Sequence, residues 1–288
     1  MVVVEGPEAE DRVAGALGRV AGTLPYLQAS VAPAGPLLPA ARRGRSAVDG
    51  RWLYCDELLD DHEWLATVIG GTARYLGSAS LAVAASLFVL GYSYRVLTLA
   101  VSCLIMDGLV PSSRPGSMAI GIRGGRPSLV AYRRARALVL PSKGGSSSPG
   151  ILEDLGSAGE VFRWFIADAV ESHLRLLVDA SSSRVRVGRR LLWGNVAASA
   201  ATAFRTMQGL YGERIELLGE RFFTLVPREM RDQGSFLSLE RDGRRGWYWE
   251  RRNCCLNDRL PGHVRCSDCS RTPAVERRSS YLARLARP

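Results

Sequence analysis

Lysine is almost missing from this chain: Lys143 stands alone among 38 Lys and Arg residues. Arginine therefore carries nearly all of a formal net charge of +10, and the accompanying Ala- and Gly-rich composition reflects a GC-rich coding sequence as readily as a polyanion-binding need. The charge favours anionic partners in general. It comes without the aromatic and basic spacing of an RNA-binding sheet or the layout of a DNA-reading helix, so no nucleic acid partner is expected. Histidine is also scarce, with three in 288 residues. There is no H-E-x-x-H, no evident Ser-His-Asp or Cys-His set and no phosphate loop, which argues against common hydrolytic and nucleophilic chemistries. Glycine is abundant, yet GIRGG at Gly121–Gly125 follows a strand-like run without opening a helix, so no nicotinamide or flavin fingerprint is present.

Long uninterrupted hydrophobic runs are lacking as well. The opening MVVVEGPEAEDRVAG has acidic residues where a secretory signal would be basic, and Val2–Val4 is far too short for its apolar region, so a cytoplasmic location is expected. Leu76–Val110 is the one membrane candidate. Arg95 splits it, and Ser78, Ser80, Ser86, Ser93 and Ser102 dilute it, so two consecutive buried helices, Leu81–Tyr94 and Arg95–Leu109, are expected rather than a span. Peripheral attachment to a membrane stays open.

What is present reads as mainly α (α+β): a helical body with a small antiparallel hairpin or sheet and a C-terminal loop suited to a metal group. Helical periodicity covers Glu8–Leu24, Asp56–Tyr75, Ala158–Ala180, Gly188–Tyr211 and Glu213–Phe223. Met118, Ile120 and Ile122 alternate before Gly124–Gly125, and Leu129, Val130 and Tyr132 follow, which is a hairpin signature. Ala32–Arg51 reads as an irregular linker, Lys143–Gly150 as a flexible loop and Arg231–Gly246 as an exposed connection. Three regions result: 1–50, a helix and linker; 51–245, a mostly helical body; and 246–288, the cysteine-bearing segment and tail.

Six cysteines are distributed unevenly. Cys55 and Cys103 stand alone in apolar surroundings, as small buried hydrophobes do. The other four fall in WYWERRNCCLNDRLPGHVRCSDCS with the spacing C-C-x10-C-x2-C. In a reducing compartment such a group more often holds a metal than forms disulfides. Cys266 and Cys269 make a chelating knuckle, a loop can turn Cys254 and Cys255 toward the same centre, and Pro261–Gly262 lies where the chain must reverse. Four thiolates suit structural zinc or an iron–sulfur cluster; adjacent cysteines in place of one knuckle are unusual for a zinc ribbon.

The block RRNCCLNDRLPGHVRCSDC resembles the C-terminal signature of the FhuF-type ferric-siderophore reductases, with its arginine-rich lead-in and proline–glycine turn. LLWGNVAAS, Leu191–Ser199, is similar to a helix of that family's larger domain, shared with siderophore-synthetase C-terminal regions. Asn257 and Asp258 depart from the family, which often has an aromatic residue there, and His263 replaces a small one. Neither removes a cysteine, and a loop histidine beside four cysteines is not needed as a ligand.

The resemblance implies one [2Fe–2S] cluster on Cys254, Cys255, Cys266 and Cys269, and one-electron reduction of siderophore-bound ferric iron in the cytosol. A ferric siderophore of hydroxamate or catecholate type would be the substrate. A ferredoxin, flavodoxin or flavin reductase would supply the electron. Arg251, Arg252, Arg259, Arg265 and Arg271 could offset cluster charge or attract a donor or substrate, and Trp247, Tyr248 and Trp249 could pack the loop or stack on a siderophore. Trp193 and Asn195 read as buried helix residues, with a pocket wall as the functional reading. Two alternatives remain: a synthetase-like binding module with a structural four-cysteine zinc site, and a cluster-based redox sensor. A sensor would bring an effector module, and a synthetase a nucleotide site; neither is evident.

Overall fold

The computed structural model describes residues 1–31, 50–123, 125–141, 151 and 158–286. Most of the expected linker at Ala32–Arg51, and the loop at Lys143–Gly150, lie outside them.

Elements run in the order β1 (Val2–Glu5), α1 (Pro7–Thr23), β2 (Gln28–Val31), β3 (Trp52–Tyr54), α2 (Cys55–Asp60), α3 (His62–Tyr75), α4 (Leu81–Asp107), β4 (Leu109–Pro111), β5 (Met118–Arg123), β6 (Arg126–Tyr132) and β7 (Arg136–Val139). Next come α5 (Ala158–Phe165), a π-helical stretch (Ile166–Leu174) and α6 (Arg175–Arg184), followed by α7 (Arg189–Tyr211), α8 (Arg214–Leu225), α9 (Arg228–Arg231), β8 (Gly234–Arg241), β9 (Arg244–Arg251) and α10 (Ala274–Leu285). The fold is mainly helical with small sheets, as expected.

Three local readings are corrected, and one element is added. Asp56–Tyr75 is two helices, because the Asp61 carboxylate accepts the Glu63 and Trp64 amides at 3.0 and 2.9 Å and starts α3 as its cap. Conversely, Leu81–Tyr94 and Arg95–Leu109 form one helix, α4. No proline breaks it, and Arg95 bends back to donate to the Gly91 carbonyl at 3.0 Å instead of interrupting the rod. The supposed exposed connection Arg231–Gly246 contains β8 and the start of β9, reversed at Asp242–Gly243, where both residues have positive φ (52° and 73°) as a tight hairpin turn requires. Finally, the tail carries α10, whose Tyr281 ring stacks on Tyr248 at 4.2 Å.

The strands form three groups. β1, β7 and β4 make an antiparallel sheet; β2, β6, β5 and β3 make a second, in which β2 pairs parallel to β6; β8 and β9 pair alone. Val2–Val4, too short to read as more than an apolar run, is an edge strand on β7. The apolar face of α1, including Val13, Leu17 and Val20, belongs to the same core as the central helices.

α4 is long and apolar enough to cross a membrane, but 78% of its most apolar window is buried within the fold. It packs along α7, where Ala197, Ala198, Ala200 and Ala201 let the two backbones approach and Ser199 donates to the Leu90 carbonyl at 3.1 Å. Phe162, Phe204 and Phe222 then link through Phe223 and Phe236 to Trp247 and Trp249, so that an aromatic chain fastens the β8–β9 hairpin to the helices. This fixes the strand from which the cysteine segment departs.

Candidate functional site

The segment after β9 is irregular, held at a few points. Arg252 donates its amide to the Gln233 carbonyl at 2.9 Å, and the Asn253 amide group donates to the Arg190 carbonyl at 2.9 Å and to Gln233 Oε1 at 2.7 Å. Leu256 and Leu260 are buried against Val83 of α4, with Cys254 packed beside them. The reversal expected at Pro261–Gly262 is present: the His263 amide bonds the Leu260 carbonyl at 3.2 Å, and Gly262 has φ 70°, the value that favours glycine at the third position of a type II turn. A second turn, from the Cys269 amide to the Cys266 carbonyl at 3.0 Å, forms the knuckle.

Cys255 and Cys266 are brought together with their sulfurs 3.4 Å apart, although ten residues separate them in sequence. The Cys266 thiol hydrogen-bonds to Cys255 and, with help from the Arg251 guanidinium, lowers the Cys255 pKa to about 6 against the opposing effect of burial. Cys266 is pushed in the opposite direction by the same hydrogen bond. Cys254, raised by burial to about 11, accepts the Leu256 amide at 3.3 Å and donates to Asp258 at 3.5 Å. Cys269 is buried. Among the described residues, no three His, Cys, Asp or Glu side chains converge closely enough to form a preassembled single-metal site.

Behind the loop lies a buried polar relay. Ser86 of α4 donates to the Cys255 carbonyl at 2.7 Å. Asn195 of α7 donates through Nδ2 to the Ser86 carbonyl at 2.8 Å and to Ser86 Oγ at 2.9 Å, and its Oδ1 accepts from Arg251 Nη2 at 2.6 Å. Asn195 is fully buried and Arg251 only 5% exposed. Thus LLWGNVAAS supplies a residue that joins two helices, a strand end and the cysteine backbone. Arg251 Nε is buried with no hydrogen-bond partner among the described residues. An unsatisfied cationic donor next to these thiols fits a negatively charged thiolate-ligated metal group, and four sulfur donors suit either iron or zinc.

Cys255 and Cys266 form part of the wall of a cavity of about 570 Å³, which Arg251 also lines. The same cavity is bounded by Arg95 of α4 and by Arg123 and Arg126 at the β5–β6 turn, with Asp268 as its acidic residue. Sequence reasoning missed these three arginines. Arg95 had a signal, a cation inside an otherwise apolar helix; Arg123 and Arg126 had none beyond the hairpin itself.

The other expected contact residues are placed differently. Trp247 and Trp249 are 2% and 3% exposed, and Trp247 stacks on Phe236 at 3.9 Å, so of their two possible roles the structure realises packing. Tyr248 is likewise covered by Tyr281. Arg252 is exposed and donates to the Asp232 carbonyl at 3.1 Å, Arg259 and Arg265 face solvent, and Arg271 pairs with Asp258 at 2.6 Å. His263 is exposed.

Fold and site together define a mainly helical protein that presents a paired-thiol loop to a basic cavity. The family described as "Ferric iron reductase FhuF-like transporter" matches residues 86–239, more than half of the chain, and the protein belongs to this FhuF-like family. The match ends within β8, before Cys254, so it rests on the helical body and not on the cysteines. No curated protein matches the chain. Among solved structures it is similar to aerobactin synthetase IucA from a hypervirulent pathotype of Klebsiella pneumoniae (14% identity, TM-score 0.47, covering 73% of this chain and 43% of that one). It is also similar to IucC from the same source (14% identity, TM-score 0.44, 59% and 31% covered). The chain spans less than half the length of these synthetases.

Proposed function

We propose that this protein is a siderophore-iron reductase that accepts single electrons and delivers them to ferric iron held in the cavity. The observation that supports this reading most is the shared wall: Cys255 and Cys266 border the same space as a group of arginines. Cys254, Cys255, Cys266 and Cys269 would hold the metal group. When bound, a [2Fe–2S] cluster supplies a one-electron carrier of the kind ferric reduction needs.

The chain's own residues then have separable tasks. The Ser86–Asn195–Arg251 relay holds the Cys255 backbone against α4 and α7, and the Arg251 charge opposes the negative charge collected by the sulfurs. The cavity, about 570 Å³ and bordered by two of the thiols, is within the size range of small-molecule sites, and a ferric chelate would bind there. Hydroxamate and catecholate oxygens are hard ligands that hold ferric iron tightly and ferrous iron weakly, so one added electron releases the metal without an acid, base or nucleophile. With no nicotinamide or flavin fingerprint in the sequence, a separate carrier, such as a ferredoxin, flavodoxin or flavin reductase, would provide that electron in the cytosol.

Spectroscopy of protein purified without oxygen tests the reading. Brown colour, visible charge-transfer bands and a paramagnetic signal that appears on reduction are expected, and Cys255→Ser should abolish or reshape that signal. Mixing the reduced protein with ferric hydroxamates and catecholates should bleach the signal and yield ferrous iron. A colourless protein with one zinc, or a reduced protein that no ferric chelate reoxidises, would overturn it.

A further inference from the structure

The cavity beside Cys255 and Cys266 is unusually one-sided in charge. Among the described residues, Arg95, Arg123, Arg126 and Arg251 line it against the single carboxylate of Asp268. Among the described residues none of the four arginines is in an ion pair, whereas Arg271, Arg277 and Arg278 nearby each have a carboxylate. Instead, Arg95 donates to the Gly91 carbonyl, Arg123 to Gln28 Oε1 at 3.2 Å and Arg251 to Asn195, while Arg126 lies over the Tyr75 ring at 5.5 Å. All are neutral partners. Burial and the neighbouring Arg126 both work against the charge on Arg95. Concentrating unpaired cations around one space is unfavourable unless something negative enters it.

These cations occupy two walls. Arg251 stands on the cysteine side, where a negatively charged metal group would use its charge. Arg123 and Arg126 flank the β5–β6 turn, are exposed, line the cavity and form no ion pair among the described residues. Guanidinium groups suit anionic oxygens, the atoms displayed by catecholate and carboxylate chelates.

We infer that the cavity selects ferric chelates with net negative charge, of catecholate or carboxylate type, over neutral hydroxamate chelates, and that Arg123 and Arg126 are its specificity residues. The inference rests on the reductase reading for the iron, but the charge selection can be measured without electron transfer.

Gallium(III) complexes are suitable probes, since gallium resembles ferric iron in charge and coordination but is not reduced under these conditions. Calorimetric titration of the full chain with gallium(III) complexes of a hexadentate tris-catecholate, an α-hydroxycarboxylate and a neutral hexadentate tris-hydroxamate should show tighter binding of the two anionic complexes. That preference should weaken as salt is added. Arg123→Gln and Arg126→Gln, both at exposed positions, should each weaken the anionic complexes by about five- to tenfold and the neutral one by less than about twofold. Equal affinity for all three complexes, or no binding of any, would overturn the inference. So would variants that move the reduction potential while leaving affinity unchanged, because the arginines would then only balance charge at the cysteines. If gallium binding follows the expected pattern but ferric complexes do not reoxidise the reduced protein, the reductase reading fails and the selectivity stands. Ferric reduction without charge preference is the reverse case.

Discussion

Asn195→Ala is the sharpest single perturbation of this site. The side chain makes three hydrogen bonds, two to Ser86 and one, at 2.6 Å, from the Arg251 guanidinium. Truncation removes two bonds of about 0.5–1.5 kcal/mol and one charge-assisted bond of about 1.5–3 kcal/mol. It also leaves a nearly buried cation whose Nε has no hydrogen-bond partner among the described residues. A loss of about 3–5 kcal/mol follows, a large part of the stability of an ordinary domain. Urea unfolding followed by circular dichroism measures it. Most of this loss comes from the stranded Arg251, so Arg251→Met in the same chain should recover part of it, and the double variant should lose clearly less than the two single losses added together. A loss under about 1 kcal/mol for Asn195→Ala, or simple additivity with Arg251→Met, would refute the claim that the relay anchors the cysteine loop.

A second buried set gives a pH dependence. His173 is fully buried; its Nδ1 bonds the Ser113 carbonyl, and its Nε2 accepts from Tyr92 at 2.6 Å, while Asp168 lies one turn earlier and Cys55 sits behind Tyr92. Burial lowers its pKa from 6.5 to about 4. Between these values the unfolded chain binds a proton that the folded one does not, so about 3 kcal/mol of stability is lost as pH falls through this window. Asp168, pushed upward by burial, works with the opposite sign. Thermal melts should therefore show a shallower decline from neutral to mildly acid pH in His173→Gln than in the parent, and an identical slope would count against the assignment. In α7, a Cβ at Gly194 would overlap the Asn253 amide, displacing the residue that ties the start of the cysteine loop to Arg190 and Gln233. Gly194→Ala should cost about 1–3 kcal/mol despite its better helix propensity, and an equal or more stable variant in urea melts would show that Asn253 is free to move.

The cysteine pattern of the candidate site was legible in the chain itself. Four cysteines at C-C-x10-C-x2-C, with Pro261–Gly262 between the pairs, are local facts, and the turn at Leu260–His263 followed because glycine at positive φ is a local preference. The helices with clear apolar periodicity were visible for the same reason. Where local cues were weak, readings failed. α4 is continuous because its many faces meet α7, α1 and the second sheet at once, so no polar face marks its course. β8 and the start of β9 looked like a polar connection because Glu240, Arg241, Arg244 and Arg245 are exposed, while Phe236, Trp247 and Trp249 meet α8 only in three dimensions.

Tertiary structure alone decided what surrounds the sulfurs. Arg95, Arg123, Arg126 and Arg251 come from three separate parts of the chain, and nothing in their spacing relates them until α4 and the β5–β6 turn close on the loop. Asn195 and Ser86, 109 residues apart, are likewise joined only by helix packing. Residue types with strong local chemistry declare themselves in sequence; an electrostatic field and a buried hydrogen-bond relay are sums over distant residues, and they exist only once the chain has folded.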